Sequence, residues 1–585
     1  MALPITTLKT ELCVIGGGMA GVNVAITAAR LGVKTVLVHE RPMFGGNASS
    51  EIRMWVCGTQ DYVYRETGIA EELHLENDFF NPTKNHYLAD SILYRKVKSE
   101  KNITALLNCT CFDAKTEHDK IQSVTAYQMT TQTLYRIEAD VFADCSGDSI
   151  LAPLTNAAFM YGREAQEKYG EPMQTHTEKD NKTMGNSCLL QARKMNRKIP
   201  FRAPEWAEQV CVEKLKSKAC DLKNPSENFW YIELGGVLDT IKDAENINER
   251  LIALCLGVWD TIKNSGEFDA DEYDLEFLGF LGAKRESRRM TGDYVLTAND
   301  VMEGRVFSDT VAYGGWPLDD HNPEGFDGDK SNYIIKVRKP YGIPYRCLYS
   351  VNVENLFFAG RNISATHMAM SSARVMGTCS VIGQAVGVAA AICKKYSVMP
   401  RGVQAHMDEL QQLLLQHDCY LPYVKRKVDG VCSNAQLIGA GERIRNGQDR
   451  DFPGENNAET LTSGEAVRYV FDQSTYVRGV KIVFDSDLQR KTFDFDVCEN
   501  HHFTRCNVLE NSPMMHMPKT LAKGYEIKIV DQDGRGERLI IEHENKRRNI
   551  LFPIEREIQE ISLTVFENWG GTPSTRVFTF EPYTK

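Results

Sequence analysis

Residues 11–40 read ELCVIGGGMAGVNVAITAARLGVKTVLVHE, and the reading of this stretch decides the fold. Leu12–Ile15 is a short apolar run, Met19–Leu31 is small and apolar at helical spacing, and Thr35–Val38 is β-rich. Gly16, Gly18 and Gly21 stand between the first strand and the helix as a GxGxxG array. In that setting Gly16 permits the tight turn, Gly18 lets a pyrophosphate approach the backbone, and Gly21 lets helix and strand pack closely. The helix N-terminus then faces the phosphates. Glu40 closes the second strand, where a carboxylate accepts hydrogen bonds from both hydroxyls of a ribose. The stretch predicts a dinucleotide-binding, doubly wound α/β domain.

NAD and FAD share that fingerprint, and three further segments favour FAD. Gly45-Gly46 follows Glu40 closely, a second glycine turn suited to the extended pyrophosphate arm of a flavin dinucleotide. Asp144-Cys145-Ser146-Gly147-Asp148 closes a β-run with small residues, as a strand end passing close to a dinucleotide requires. Leu356–Gly360 is a buried strand ending in glycine, far away in sequence and followed by a helix. Residues 1–150 therefore predict the first part of an FAD-binding domain. Residues 151–350 predict an inserted mixed α/β substrate domain, with helices such as Ile247–Lys263, and 351–427 the completing part. After about Val428 the texture changes to alternating segments, among them Val477–Phe484, Tyr525–Val530, Arg538–Glu542 and Ile561–Phe566, separated by turns. Residues 428–585 thus predict an antiparallel β-sandwich.

At 585 residues the chain exceeds a single core. Its formal charge of -11 argues against a general nucleic-acid or membrane-surface role, because nothing in that balance neutralises phosphates. The 16 cysteines include no CxxC pair, so no metal site is expected, and lone cysteines in apolar runs suit a reducing compartment. The first ten residues lack a charged segment followed by an apolar one, and the apolar stretch Val381–Cys393 is short for a bilayer. The expectation is a cytoplasmic protein, not held in a membrane, with homo-oligomerisation left open.

The segments VIGGGMAG, HERPMFGGNASSEIRMW, FADCSGDS, ESRRMTGDYVLT and FAGRNISATHMAMSSARVMGTCSVIGQAVGVAAA resemble those of the bacterial FAD-dependent oxidoreductase family. That family has the glutathione-reductase-like FAD fold and is distantly similar to fumarate reductase flavoproteins. The β-rich tail resembles the galactose-binding-like sandwiches appended to some members. The resemblance implies FAD as cofactor, with Gly16, Gly18 and Gly21 at the pyrophosphate and Glu40 at the adenosine ribose. It further implies Gly46 and Asn47 along the ribityl-phosphate arm and Cys111 at the adenine. Gly360 and Arg361 would border the ribityl chain, and the helix starting near Arg374–Gly377 would aim its N-terminus at the flavin pyrimidine edge. Asp144 and Gly147, in the small-residue strand end, are placed beside the cofactor as well. The CxxxxC redox pair of disulfide reductases has no counterpart in Gly46–Glu51, and Cys57 stands alone, which argues against disulfide chemistry.

For the substrate, His367 lies between the last strand and last helix of the FAD fold, where an imidazole suits a general base that takes a hydroxyl proton as a hydride leaves for flavin N5. The alternative is a histidine that only orders its loop. Arg53 is expected to orient substrate oxygens, sharing a strand face with Glu51, and Arg288 or Arg289 to meet a carboxylate or sugar hydroxyl. Trp55, Trp316 and Tyr313 offer a stacking wall or belong to the core. The reading is an oxidoreductase exchanging a hydride between FAD and a small polar metabolite, a carbohydrate or hydroxy acid, with an unknown electron acceptor. A redox-neutral lyase or glycosidase acting through transient oxidation and a non-catalytic flavoprotein are the alternatives.

Overall fold

The computed structural model describes residues 3–174, 176–218, 220–225, 227–490, 504–511 and 514–584. The chain divides into two compact units. One comprises Met1–Gln60, Thr83–Leu410 and Lys491–Met514, the other Asp61–Pro82, Gln411–Arg490 and Met515–Lys585.

The first unit is built on a seven-stranded sheet: β1 (Ile5–Ile15), β2 (Thr35–Val38), β3 (Ile103–Leu106), β4 (Cys109–Glu117), β5 (Lys120–Gln128), β6 (Thr133–Asp144) and β7 (Leu356–Phe358). The order is β3-β2-β1-β6-β5-β4, with β7 added on β6. β1, β2, β3, β6 and β7 are parallel, whereas β4, β5 and β6 form an antiparallel meander. The 12 residues of β6 let it serve two partners on one edge: Thr133–Glu138 pairs with β5, and Phe142–Asp144 with β7. Its other edge pairs with β1 in a register that runs from Leu134 opposite Ile5 to Asp144 opposite Ile15. Leu12, Cys13 and Val14 are wholly buried, as a central parallel strand covered on both faces demands.

Four helices position the site: α1 (Met19–Arg30), α2 (His86–Ser99), α3 (His367–Ala373) and α4 (Met376–Tyr396). Asn85 caps α2 by accepting from the Tyr87 and Leu88 amides, and Thr366 caps α3 by accepting from Ala369. α1 packs on α4 through small residues. A Cβ on Gly383 would stand 2.3 Å from the Ala20 carbonyl oxygen, and one on Gly387 2.6 Å from Thr27 Cβ. Bulk at either position would push the helices apart. α4 runs for 21 residues, well beyond the apolar stretch read from the sequence, and by length and hydropathy it is a candidate membrane span. Its apolar window is 89% buried inside the protein, as in a core helix.

Between β6 and β7 the chain is mixed, as expected. It holds a 21-residue helix, Ala244–Asn264, over a core around Leu254 and Trp259. Two short hairpin-like pairs, Thr310–Gly314 with Tyr341–Pro344 and Leu318–His321 with Asn332–Ile335, follow it. One local expectation is corrected. Glu51 and Arg53 do not share a strand: a 3-10 turn at Gly46–Ala48 leads into further turns, and Arg53 takes a left-handed φ of 65°.

The second unit is an antiparallel β-sandwich of β8 (Gln436–Ile438), β9 (Glu459–Thr462), β10 (Ala466–Phe484), β11 (Ala522–Val530), β12 (Gly536–Glu542), β13 (Asn549–Asn568) and β14 (Ser574–Tyr583). The order is β9-β14-β10-β13-β11-β12, with β8 on β10. β10 and β13 pair along nearly their whole length, and register shifts between Val470 and Thr475 and between Val477 and Gly479 let these long strands bend. Alternate residues such as Val477, Ile482, Ile527, Ile561 and Leu563 fill the core, joined by Leu75 from the helix Ile69–Phe80.

Candidate active site

One cavity of about 720 Å³ in the first unit gathers the chemistry. Its first wall is made of glycines. Gly16 turns the chain at φ +104°, and a Cβ there would stand 2.3 Å from the Cys145 carbonyl oxygen. Gly21 lies off the cavity wall. A Cβ on it would meet the Gly16 oxygen at 1.8 Å, so it sets the close approach of α1 to the turn, as the sequence implied. Gly18 and Gly46 lie side by side on the wall: a Cβ on Gly46, at φ +59°, would lie 3.2 Å from Gly18 Cα. The Gly45 N–H donates to the Gly17 oxygen at 2.9 Å and ties the two glycine turns together. The Gly17 N–H donates to His39 Nδ1 at 3.0 Å, and His39 Nε2 lies 3.0 Å from the Met43 oxygen. Burial and Arg41 push this imidazole down to about 4, so it is a neutral brace.

Glu40, Arg41, Asn47, Gly147, Gly360 and Arg361 line the same cavity. Asp148 holds Lys284 at 2.6 Å and Arg361 at 3.0 Å; against the penalty of burial, these two cations keep its carboxyl below the usual range. Asn47 Nδ2 donates to the Lys284 oxygen at 3.1 Å. α1 and α4 both begin without a side-chain cap and without an acid in the first turn. Their positive dipole ends suit anionic groups, although the Gly377 N–H in the first turn of α4 is already bonded. Arg361 Nε and Arg374 Nε, both on residues of the wall, are buried without a hydrogen-bond partner. This cradle, bare of Cβ atoms and rich in unused donors, fits an extended dinucleotide.

Besides Gly21, three more residues expected at the cofactor stand behind the wall. Cys111 is buried in the meander, paired with Ala126. Asp144 is fully buried, and its carboxylate accepts from the Ser146 N–H and hydroxyl and from the Leu151 N–H, shaping the turn that presents Gly147. The Gly377 N–H donates to the Cys57 oxygen at 2.7 Å.

The second wall is polar and aromatic. The strand Leu318–His321 alternates its side chains, so that Asp319 and His321 line the cavity and Asp320 lies off its wall. His321 Nδ1 is 2.6 Å from Glu233 Oε2, and its Nε2 is 3.4 Å from Asp319 Oδ2. Asp319 also accepts from Asn332 at 2.6 Å and from Trp316 Nε1 at 3.4 Å, and its Oδ2 is 3.6 Å from Arg374. Burial opposes ionisation of Asp319, but His321 and Arg374 hold its carboxyl well below the usual range. Arg285 pairs with Glu233 at 3.1 Å, and Trp230 packs edge-on to His321 at 5.2 Å.

All three residues expected to act on substrate are displaced from the cavity. His367 is fully buried with Nδ1 2.9 Å from Glu286 and Nε2 2.9 Å from Asp320. Burial works against its charge, yet the two carboxylates outweigh that penalty and push it up to about 10, so it is a locked cation and not a base. Arg289 is equally buried, bonded to the Gly162 oxygen and to Glu164 at 3.0 Å. Arg53 bonds Gln191 at 2.9 Å and stacks on Phe277 at 4.0 Å. Tyr313 is core, whereas Trp55 and Trp316 do line the cavity. His321, Asp319, Trp230 and Glu227 were missed. They lie in the long insertion, where no motif marks them, although the acid–acid–histidine run in a strand is a usable signal.

A doubly wound sheet, a glycine cradle at its strand ends and a polar chamber beside it define a flavin-dependent oxidoreductase. The sequence matches the family model described as FAD dependent oxidoreductase over residues 11–414, and the chain belongs to that family. FAD is its cofactor. No curated protein matches the sequence. Among solved structures, the chain is similar to the myxobacterial chondrochloren halogenase CndH, with 11% identity, 71% of this chain and 83% of that one covered, and a TM-score of 0.32. It is similar to E. coli quinol fumarate reductase FrdA, with 12% identity, 70% and 75% covered, and a TM-score of 0.27. A family 32 carbohydrate-binding module from Streptococcus pneumoniae EndoD matches with 14% identity, 26% of this chain and 99% of that one covered, and a TM-score of 0.19.

Proposed function

We propose that the protein oxidises a hydroxyl group of a carbohydrate, with His321 as the proton acceptor. The observation that carries this reading is the second wall itself: three of the six tryptophans of the chain, Trp55, Trp230 and Trp316, line one cavity together with Asn224 and Asn332. Indole faces suit the apolar faces of a sugar ring, and carboxamides both donate to and accept from its hydroxyls. Held by Gly16, Gly18, Gly46, Gly147, Gly360 and Arg361, FAD supplies the two-electron couple that takes up or returns a hydride. The chain does the rest. Glu233, at 2.6 Å from Nδ1, fixes the orientation of His321 and offsets the charge it gains when Nε2, turned from its long 3.4 Å contact with Asp319 to the substrate, takes the hydroxyl proton. Arg374 and Asn332 hold Asp319 beside it. Fifteen free cysteines among the described residues support placing the protein in a reducing compartment, the cytoplasm.

The test is anaerobic bleaching of the FAD-loaded protein with a panel of mono- and disaccharides beside 2-hydroxy acids. Sugars should bleach it, and His321→Gln should slow the bleaching by about 10²–10⁴-fold. Bleaching by hydroxy acids and by no sugar would overturn the substrate class. An undiminished rate in His321→Gln would overturn the proton role.

A further inference from the structure

The cations on the cavity wall are already paired. Arg41 lies 3.8 Å from Glu51, Lys284 and Arg361 share Asp148, Arg285 meets Glu233, and Arg374 meets Asp319. The lining carboxylates Glu40, Asp148 and Asp319 each have a cation within 4 Å as well. Glu227 differs. It lines the cavity beside Asn224 and Trp230, and among the described residues no cation or side chain bonds it. Its Oε1 accepts the Phe229 N–H at 2.8 Å, and the remaining lone pairs of a carboxylate have room for a ligand. The ionisable groups around it are Asp221, Cys220 and Tyr231, none of them cationic at neutral pH. Burial first, and Asp221 in addition, push its carboxyl up to about 7, while the Phe229 and Asn228 amides pull the other way.

We propose that Glu227 is a second proton-exchanging residue of the cavity, in direct contact with the ligand, and that the site therefore takes a neutral or cationic polyol in preference to a carboxylate-bearing one. This rests on the reading of the cavity as a sugar site. A lone anion among neutralised charges attracts a cationic ligand and repels an anionic one. Its second role follows from the first. A carboxyl that changes protonation near neutrality gives a hydrogen bond to a ligand oxygen in one form and accepts one in the other.

The test uses the FAD-loaded protein and three probes read by quenching of tryptophan fluorescence: glucose, gluconate, and the quaternary iminosugar N,N-dimethyl-1-deoxynojirimycin, whose charge does not vary with pH. The quaternary probe should bind more tightly than glucose, gluconate least. Its affinity should rise about tenfold from about pH 6 to about pH 8 as Glu227 ionises. Glu227→Gln should lose that rise, its affinity for the quaternary probe staying level from about pH 6 to about pH 8. Persistence of the rise in Glu227→Gln, or its absence in the parent protein, would overturn the role of Glu227 while leaving the sugar reading intact. Failure of both glucose and the iminosugar to bind at any pH would overturn both.

Discussion

Replacing His367 by Gln removes a cation from between two carboxylates that have no water to turn to. The imidazole is fully buried and sits 2.9 Å from both Glu286 and Asp320. Breaking a buried ion pair by deleting one partner costs about 3–5 kcal/mol, since the remaining charges stay desolvated. For a unit of this size that lowers the melting temperature by roughly 5–10 °C. The pH dependence carries the diagnosis. The folded-state value of about 10 lies above the ordinary 6.5, so the folded protein binds more protons between those two limits. The stabilisation is complete below pH 6.5, falls as pH rises, and is lost as pH passes through 10. Thermal unfolding of both proteins from neutral to alkaline pH should therefore show a gap that narrows steadily and closes near that upper limit. A gap below about 1 kcal/mol at neutral pH, or one that stays constant into the alkaline range, would refute the locked-cation account.

Three other perturbations test separate parts of the structure. Gly46→Val forces a β-branched side chain to φ +59° and into the space 3.2 Å from Gly18 Cα; FAD retained after gel filtration should fall about tenfold or more, and an unchanged absorbance ratio would count against the cradle. Iodoacetamide should label exposed Cys211 and spare Cys109 and Cys111, whose thiols burial pushes up to about 12, as peptide mass spectrometry will show. In the second unit, burial holds Lys481 down to about 8 despite Asp449 nearby. The unfolded chain thus binds more protons between that value and 10.5, stability rises with pH across this window, and Lys481→Met should abolish the rise in unfolding midpoint.

The FAD fold was legible because its determinants are local. Gly16, Gly18 and Gly21 sit within one turn of chain, and the apolar runs on either side have the period of a strand and of a helix. The sandwich was legible for the same reason, its alternation surviving in β10, β11, β12 and β13. What escaped was set by long-range pairing. His367 stands next to the last cofactor helix in sequence, but its partners Glu286 and Asp320 come from the insertion, and no local pattern shows that they enclose it. His321 gives the converse case, since it acquires its place from Glu233, 88 residues away. Arg53 was read from an alternation that the neighbouring glycine turns break, so the strand that would have aimed it never forms.

The two-partner edge of β6 bears on how the protein is made. Its first half is met at once by β5, which precedes it, whereas Phe142–Asp144 waits for Leu356–Phe358, more than two hundred residues later. At a synthesis rate of about 5–20 residues per second, the ribosome needs roughly 10–40 s to deliver that last strand. Through that interval the nascent chain carries an open parallel edge beside a half-built nucleotide cleft. Any chaperone or early ligand that protects this intermediate must act on the chain that precedes β7 alone, and truncations ending before β7 should be sticky, colourless proteins.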